Sequence, residues 1–337
     1  MLAASTDPLT AAYDLAMLDL DGVVYVGRDA VPGAAEHLRA TRAAGMRTAF
    51  ITNNAARPPE TVAAHLTELG VPADVDDVVT SAQAAAHLLH ERFGHGARVV
   101  RLGGAGLEAA LVEAGLVPVD AEDEAAAVVS GYGPDVLWRD IMRVAVRVRD
   151  GLPWLASNAD LTIPTGFGVA PGHGVLVETI ARFAGVTPVV AGKPARPLLD
   201  ETMRRVGGER PLMVGDRLDT DIEGARNAEV DSLLVMTGVT GTAELVSAPP
   251  KHRPTYLSAD LGGLLTPHPA PAANEGGWSV GDWRATVQDG RLTVIGNGSP
   301  DDWWRAVAAA GWAHLDTAGV VADITALGIP GETAVGR

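Results

Sequence analysis

The sequence contains no cysteine. That excludes disulfides, thiolate metal sites and a cysteine nucleophile, and it suits a reducing, cytoplasmic setting. Lysine is almost missing as well: it occurs only at Lys193 and Lys251, and every other cationic side chain of the Lys/Arg pair is arginine. Arginine serves at an ordinary surface ion pair, so a lysine kept in such a chain draws attention. Positive charge as a whole is short, with 26 Lys and Arg against 42 Asp and Glu and a formal net charge of -16. No basic cluster stands out, which argues against nucleic-acid partners and against an anionic membrane surface, because phosphate affinity comes from grouped Lys and Arg. No apolar run reaches the roughly 20 residues that a membrane-spanning helix needs. The first residues carry no basic segment ahead of an apolar one, and Asp7 and Asp14 interrupt the apolar residues. A secretory signal is therefore not expected, and the localisation expected is cytoplasmic.

What is present is a long, apolar chain. At 337 residues and 47% hydrophobic content it can build two domains and a small third piece around a substantial core. Asp19-Leu20-Asp21-Gly22 follows the apolar run Ala16-Met17-Leu18, which reads as the end of a buried strand. Two carboxylates thus leave a strand tip together, and Gly22 supplies the positive φ of a sharp exit. On its own the pattern fits a turn, or the opening of a calcium loop, as well as it fits chemistry. A helix over 34–43 and a strand over 47–51 follow, the strand delivering Thr52-Asn53-Asn54. Pro58-Pro59 starts another helix, and Ser81 reads as the N-cap of a helix over 82–93. Such alternation predicts a parallel sheet, whose ligands bind at the carboxyl ends of the strands.

Strands are expected near 98–102, 126–129, 154–156, 189–191, 212–214 and 232–236, and helices near 106–114, 136–149, 175–183 and 197–206. The helix at 136–149 has Leu137, Ile141, Val144 and Val148 on one face. Residues 266–277, rich in Pro, Ala and Gly, read as a linker. Beyond it stand Trp278, Trp283, Trp303, Trp304 and Trp312, too many aromatics for a disordered tail. A hairpin of 283–288 and 292–295 across Asp289-Gly290 and a helix starting at Ser299-Pro300 complete a piece small enough to need the main body for support.

Four short patterns stand in order, each after an apolar strand: Asp-Leu-Asp-Gly at 19–22, Thr-Asn-Asn at 52–54, Gly-Lys-Pro at 192–194 and Gly-Asp-Arg-Leu-Asp-Thr-Asp at 215–221. Over residues 1–265 this order resembles the haloacid dehalogenase (HAD) superfamily of aspartate-nucleophile phosphatases. Ser157-Asn158-Ala159-Asp160 and the stretch 172–194 fit its branch of p-nitrophenylphosphatase-like, phosphoglycolate-phosphatase-like and NagD-like enzymes.

The resemblance implies an α/β fold: a Rossmann-like core with a parallel sheet over 1–80 and 186–265, and an inserted C2-type α/β cap over 81–185. After the linker comes a small α+β domain over 278–337, which resembles part of the N-acetyltransferase fold but lacks a glycine-rich pyrophosphate loop. The HAD resemblance implies Mg2+ held by Asp19, Asp216 and the main-chain carbonyl of Asp21, with Asp221, ranked above Asp219, orienting that shell or capping the next helix. Asp19 would be the nucleophile and Asp21 the general acid and base.

Thr52 and the main-chain N–H groups near Asn53 would hold the phosphate, with Lys193 supplying positive charge. Standing alone, Thr52 reads better as a turn cap; the lesser alternative for Lys193 is a solvated loop lysine. Asn158, Asp160 and His173 are candidate cap contacts, and for His173 a glycine-turn residue without chemistry fits as well. The expected activity is Mg2+-dependent hydrolysis of a small phosphomonoester through an aspartyl phosphate. An HAD core joined to a partial acetyltransferase-like tail resembles glycerol 3-phosphate phosphatases, so that substrate leads, ahead of phosphoglycolate and nucleotide monophosphates. Acyl-CoA chemistry in the tail is one alternative, and a structural or regulatory tail that mediates self-association is another. The family also suggests a homodimer formed through the cap.

Overall fold

The computed structural model describes residues 1–330, so the end of the expected C-terminal domain, 331–337, lies outside the described residues. The chain folds as two compact units, one of residues 1–48 with 208–337 and one of residues 49–207.

The first unit is built on four parallel strands. Leu15–Leu18 pairs with Pro211–Gly215, which pairs with Asp231–Val235, which pairs with Tyr256–Ser258. Leu15–Leu18 and Tyr256–Ser258 are buried along their whole length, and so is the other pair beyond its first residue. Past those first residues the strands are buried and mostly apolar, as a sheet covered on both faces requires. The register sets Leu18 beside Val214, and the main-chain N–H of Asp19 extends the ladder by donating to the Val214 carbonyl at 2.8 Å. Asp19 and Asp216 therefore leave neighbouring strands at the same end of the sheet.

The C-terminal piece is an antiparallel sheet of Ala272–Asn274, Gly277–Val280, Trp283–Gln288 and Arg291–Ile295, followed by the helix Pro300–Ala318. The strand Ala272–Asn274 lies within the stretch read as linker. It is exposed throughout and is held by backbone pairing with Gly277–Val280, so no apolar pattern could announce it. At the predicted hairpin turn Asp289 and Gly290 both take positive φ, 50° and 77°, the type I′ signature that suits strand twist. Trp303, Trp304 and Trp312 share one core with Leu245, Val246 and Leu257, so the piece is not a separate globule. Arg305, only 3% exposed, seals that seam: it donates to the Leu257 carbonyl at 3.0 Å and to Asp302 at 2.9 Å, and its Nη2 lies 3.0 Å from His268 Nδ1.

The second unit contains a five-stranded parallel sheet in the order Val189–Val190, Trp154–Ala156, Ala127–Ser130, Arg98–Leu102, Val117–Val119. Val144, Val148 and Ile180 of its helices pack on Val100, Val128 and Trp154. The helix expected from 136 starts at Trp138, and Leu137 is its exposed cap residue instead of a member of the buried face. The end of Arg47–Thr52 pairs in parallel with Val78–Thr80, Thr52 lying beside Thr80. Ser81 is not the N-cap of the next helix. Thr80 is: its hydroxyl accepts from the Gln83 N–H at 3.2 Å, and Gln83 Oε1 accepts from the Thr80 N–H at 3.0 Å, a reciprocal capping box. The short hairpin Thr162–Thr165 with Gly168–Pro171 was not expected: each of its four-residue strands, TIPT and GVAP, carries a proline, which argues against a strand.

Candidate active site

In the first unit, the carboxylates of Asp19, Asp216 and Asp221 each place an oxygen within 4.8 Å of the others. Asp216 and Asp221 are fully buried. The approach depends on glycine. A Cβ at Gly238 would stand 2.0 Å from Asp216 Oδ2 and 2.7 Å from the Gly22 Cα, and a Cβ at Gly22 would stand 2.3 Å from the same oxygen. Gly22 also has φ +82°, so both space and backbone conformation demand glycine there. The N–H of Val239 donates to Asp216 Oδ2 at 2.6 Å, and the hydroxyl of Thr237 donates to the Gly22 carbonyl at 2.5 Å. Asp221 sits in the turn Leu218–Ile222, where its Oδ2 accepts from the Arg217 N–H at 3.0 Å and its side chain lies against Gly215, whose Cβ would be 2.3 Å away.

Three carboxylates so close repel one another unless a cation lies among them. Oxygen-only donors of this kind fit a hard divalent ion such as Mg2+ or Ca2+. Asp219 stays outside the cluster. It is exposed and pairs with the Arg217 guanidinium at 2.8 Å; burial pushes its carboxyl up, but the guanidinium hydrogen bonds hold it below the usual range. Asp21, on the exposed turn after Asp19, does not belong to the carboxylate cluster.

The glycine cradle yields a prediction. Gly238→Ala has backbone on its far side and cannot relax, so it should displace Asp216 and weaken divalent-cation binding by about 10- to 100-fold, the usual cost of disturbing a ligand's support. Calorimetric titration with Mg2+ reads this directly, and an unchanged affinity would refute the cradle.

In the second unit Thr52, Asn53, Asn158, Asp160 and Lys193 come together. Thr52 Oγ1 accepts from the Asn54 N–H at 3.1 Å, and Asn54 Oδ1 accepts from the Ala56 N–H at 2.9 Å. The Asn53 side chain bonds to both main-chain groups of Lys193 and to the Asp160 carboxylate, and Asn158 Nδ2 donates to the Asn53 carbonyl at 2.7 Å. Lys193 is 2% exposed, which is not the position of a solvated loop lysine. Ser81 was read only as a cap; its hydroxyl donates to the Asn53 carbonyl at 2.6 Å, a contact across 28 positions that no local pattern signals.

His173 is the first residue of the helix His173–Ala184 and is 3% exposed. Its Nε2 lies 3.2 Å from Ser130 Oγ, which also accepts from Trp154 Nε1 at 2.9 Å. Burial pushes its imidazole down to about 4. The unfolded chain therefore binds a proton below about pH 6.5 that the folded form refuses, and stability falls from there down to about pH 4. His173→Gln should show a smaller loss of melting temperature between pH 7 and 4.5 than the parent; an equal loss would dismiss this assignment.

With this geometry in hand, known proteins give it a family. A model described as haloacid dehalogenase-like hydrolase matches residues 16–117, and a second, HAD-hydrolase-like, matches residues 190–264. A D-glycerol 3-phosphate phosphatase of Mycobacterium tuberculosis is 42% identical over 311 residues, 89% of this chain and 86% of that protein. The chain belongs to the haloacid dehalogenase-like hydrolases. Within that family it is a phosphoric monoester hydrolase. An acid sugar phosphatase of Staphylococcus saprophyticus is 35% identical over 257 residues, 75% of this chain and 97% of that protein. Among solved structures, a glycerol phosphate phosphatase from M. tuberculosis in complex with magnesium superposes with a TM-score of 0.82 at 41% identity, covering 91% of this chain and 93% of that one. The two M. tuberculosis matches cover about nine-tenths of this chain and so extend into its C-terminal piece, whereas the acid sugar phosphatase covers 75%. Among the described residues no helix is long and apolar enough to cross a membrane.

Proposed function

We propose that this hydrolase cleaves glycerol 3-phosphate, or a similarly small phosphomonoester, with Mg2+ as its cofactor. The observation that carries the reading is the cluster of Asp19, Asp216 and Asp221 at neighbouring strand ends. The similarity to the M. tuberculosis enzyme over most of both chains supports the substrate, and the magnesium complex of that enzyme supports the metal. The lack of cysteine supports a reducing, cytoplasmic setting for such a metabolite enzyme.

A carboxylate attacks a phosphate dianion poorly, because like charges repel. When bound, Mg2+ offsets that repulsion, and Asp19, Asp216 and the Asp21 carbonyl would hold it, with Asp221 orienting the set. Asp19 attacks phosphorus and forms an aspartyl phosphate while the phosphorus–oxygen bond to glycerol breaks. Asp21 gives its proton to the departing alkoxide. The Asp21 carboxylate then takes a proton from water, the hydroxide displaces Asp19 from phosphorus, and inorganic phosphate leaves. Thr52 and the N–H groups that follow it bind the phosphoryl oxygens, and the Lys193 ammonium stabilises the charge that builds on them. Residues 81–185 serve as the cap, which chooses the leaving group and excludes water.

A phosphomonoester panel containing glycerol 3-phosphate, phosphoglycolate, sugar phosphates and nucleoside monophosphates, run with Mg2+ and with EDTA, tests this. Glycerol 3-phosphate should have the highest kcat/KM, and EDTA should abolish turnover. Preference for another ester would replace the substrate, and EDTA-resistant turnover would overturn the mechanism.

A further inference from the structure

Asn53 follows the last residue of the strand Arg47–Thr52, and from that point it ties three loops together. Its Oδ1 accepts from the Lys193 N–H at 2.9 Å. Its Nδ2 donates to the Lys193 carbonyl at 3.0 Å and to the two carboxylate oxygens of Asp160 at 3.0 and 3.1 Å. The orientation of the amide is fixed, since the Lys193 N–H can only donate and the carboxylate can only accept. Its main-chain carbonyl accepts from Ser81 Oγ and from Asn158 Nδ2, at 2.6 and 2.7 Å, and Asn158 Oδ1 in turn accepts from the Asp160 N–H at 3.2 Å. Gly192 lets the lysine loop press this close: a Cβ there would stand 2.6 Å from Asn53 Oδ1 and 2.7 Å from the Ser157 carbonyl.

No other side chain can replace this one. The pairing needs an acceptor and two N–H bonds on a short stem. Aspartate has no donor, serine and threonine have a single O–H, and glutamine is one methylene too long. A side chain so fully used makes the role first expected of this region, direct binding of substrate by Asn158 and Asp160, less economical than an indirect one.

We propose that Asn53 is a positioning residue for Lys193 and that Asp160, with Asn158 behind it, orients Asn53. The Asn53 amide clamps the main chain of Lys193 on both sides and so fixes where the ammonium is carried. The Asp160 carboxylate strengthens the clamp through a charge-assisted hydrogen bond. Because Asp160 and Asn158 come from the segment assigned as cap, the same clamp couples that segment to the loops carrying Thr52 and Lys193. The inference rests on the phosphatase reading given above.

The test exchanges the two partners, with p-nitrophenyl phosphate and Mg2+ as the assay and melting temperature as the check on folding. Asn53→Asp sets two carboxylates face to face and removes the donor to Lys193; it should lower kcat by about 100-fold, the effect of a buried polar group left opposed and unpaired. Asp160→Asn keeps an acceptor and loses only the charge, so about a fivefold loss is expected. The double variant, Asn53→Asp with Asp160→Asn, restores a donor opposite the new carboxylate and should recover about 10-fold over Asn53→Asp alone. Relative to the parent at each pH, Asn53→Asp should also regain activity on acidification, as its own carboxyl takes a proton and becomes a donor. The double variant should not show that rise.

A double variant no faster than Asn53→Asp would overturn the clamp. So would an Asp160→Asn variant that melts like the parent yet is as inactive as Asp19→Asn, since Asp160 would then act on the reacting groups directly. Should Asn53→Asp fail to fold, the kcat of Asp160→Asn and its ratio to KM still decide: positioning lowers kcat, whereas loss of a substrate contact raises KM alone. If the unmodified enzyme turned over no phosphomonoester while binding Mg2+, the phosphatase reading would fail instead.

Discussion

Asp19→Asn should abolish turnover, with kcat falling by at least about 1,000-fold. Asparagine keeps the shape of the side chain and its place one step past the Leu15–Leu18 ladder, so the fold is spared. What it removes is the nucleophile, since an amide oxygen does not displace an alkoxide from phosphorus. It also removes one of the three charges facing Asp216 and Asp221. Relieved of mutual repulsion, the variant without metal should melt at or above the parent's temperature. Single-turnover assays with labelled phosphomonoester should trap phosphate on the parent chain and none on the variant. A variant with more than a few per cent of parental turnover, once contaminating phosphatase is excluded, would remove Asp19 from the reaction.

The second large effect concerns stability. Trp312 is 1% exposed, donates its indole N–H to the Leu245 carbonyl at 2.7 Å and lies under the Arg253 guanidinium, 5.3 Å from the ring centre. Arg253 in turn holds Asp316 through two bonds of 2.7 and 2.6 Å. Trp312→Ala should cost about 3–5 kcal/mol, because it opens a cavity that a helix anchored along its length cannot close, and it leaves the Leu245 carbonyl without its donor. Trp138→Ala is the control: that ring is 64% exposed, and its loss should stay within about 0.5 kcal/mol. Chemical denaturation of both variants measures the difference. Equal midpoints would mean that the C-terminal helix contributes nothing to the core on which Asp216 and Asp221 are mounted.

That result would also bear on what the C-terminal piece is for. Its hairpin, helix and tryptophans resemble part of an acetyltransferase, yet Trp303, Trp304, Trp312 and Arg305 are spent on the side of the phosphatase core. A support role accounts for the tryptophans without a second chemistry. The polar and exposed strand Ala272–Asn274 was unreadable because backbone pairing, not side-chain burial, holds it. The displaced cap at Thr80 was hidden for a different reason: Thr80 and Ser81 are both good caps, and the choice between them was made by the distant Asn53 carbonyl, which takes the serine hydroxyl.

Asp-Leu-Asp-Gly at 19–22 was ambiguous alone and specific in company. By itself the sequence determined the order of strand ends and the acids, amides and lysine carried on them, because buried parallel strands are unbroken apolar runs and the residues that stop them are conspicuous. It determined too that only Lys193 and Lys251 were candidates for a lysine at the phosphate. Tertiary structure alone decided which acids meet. Asp219 and Asp221 sit two positions apart in one turn, and only the packing of Asp221 against Gly215 directs it toward Asp19 and Asp216. Structure alone also turned Asn53, Asn158 and Asp160 into one network, since hydrogen bonds spanning 105 to 140 positions depend on how loops close and leave no local trace in the chain.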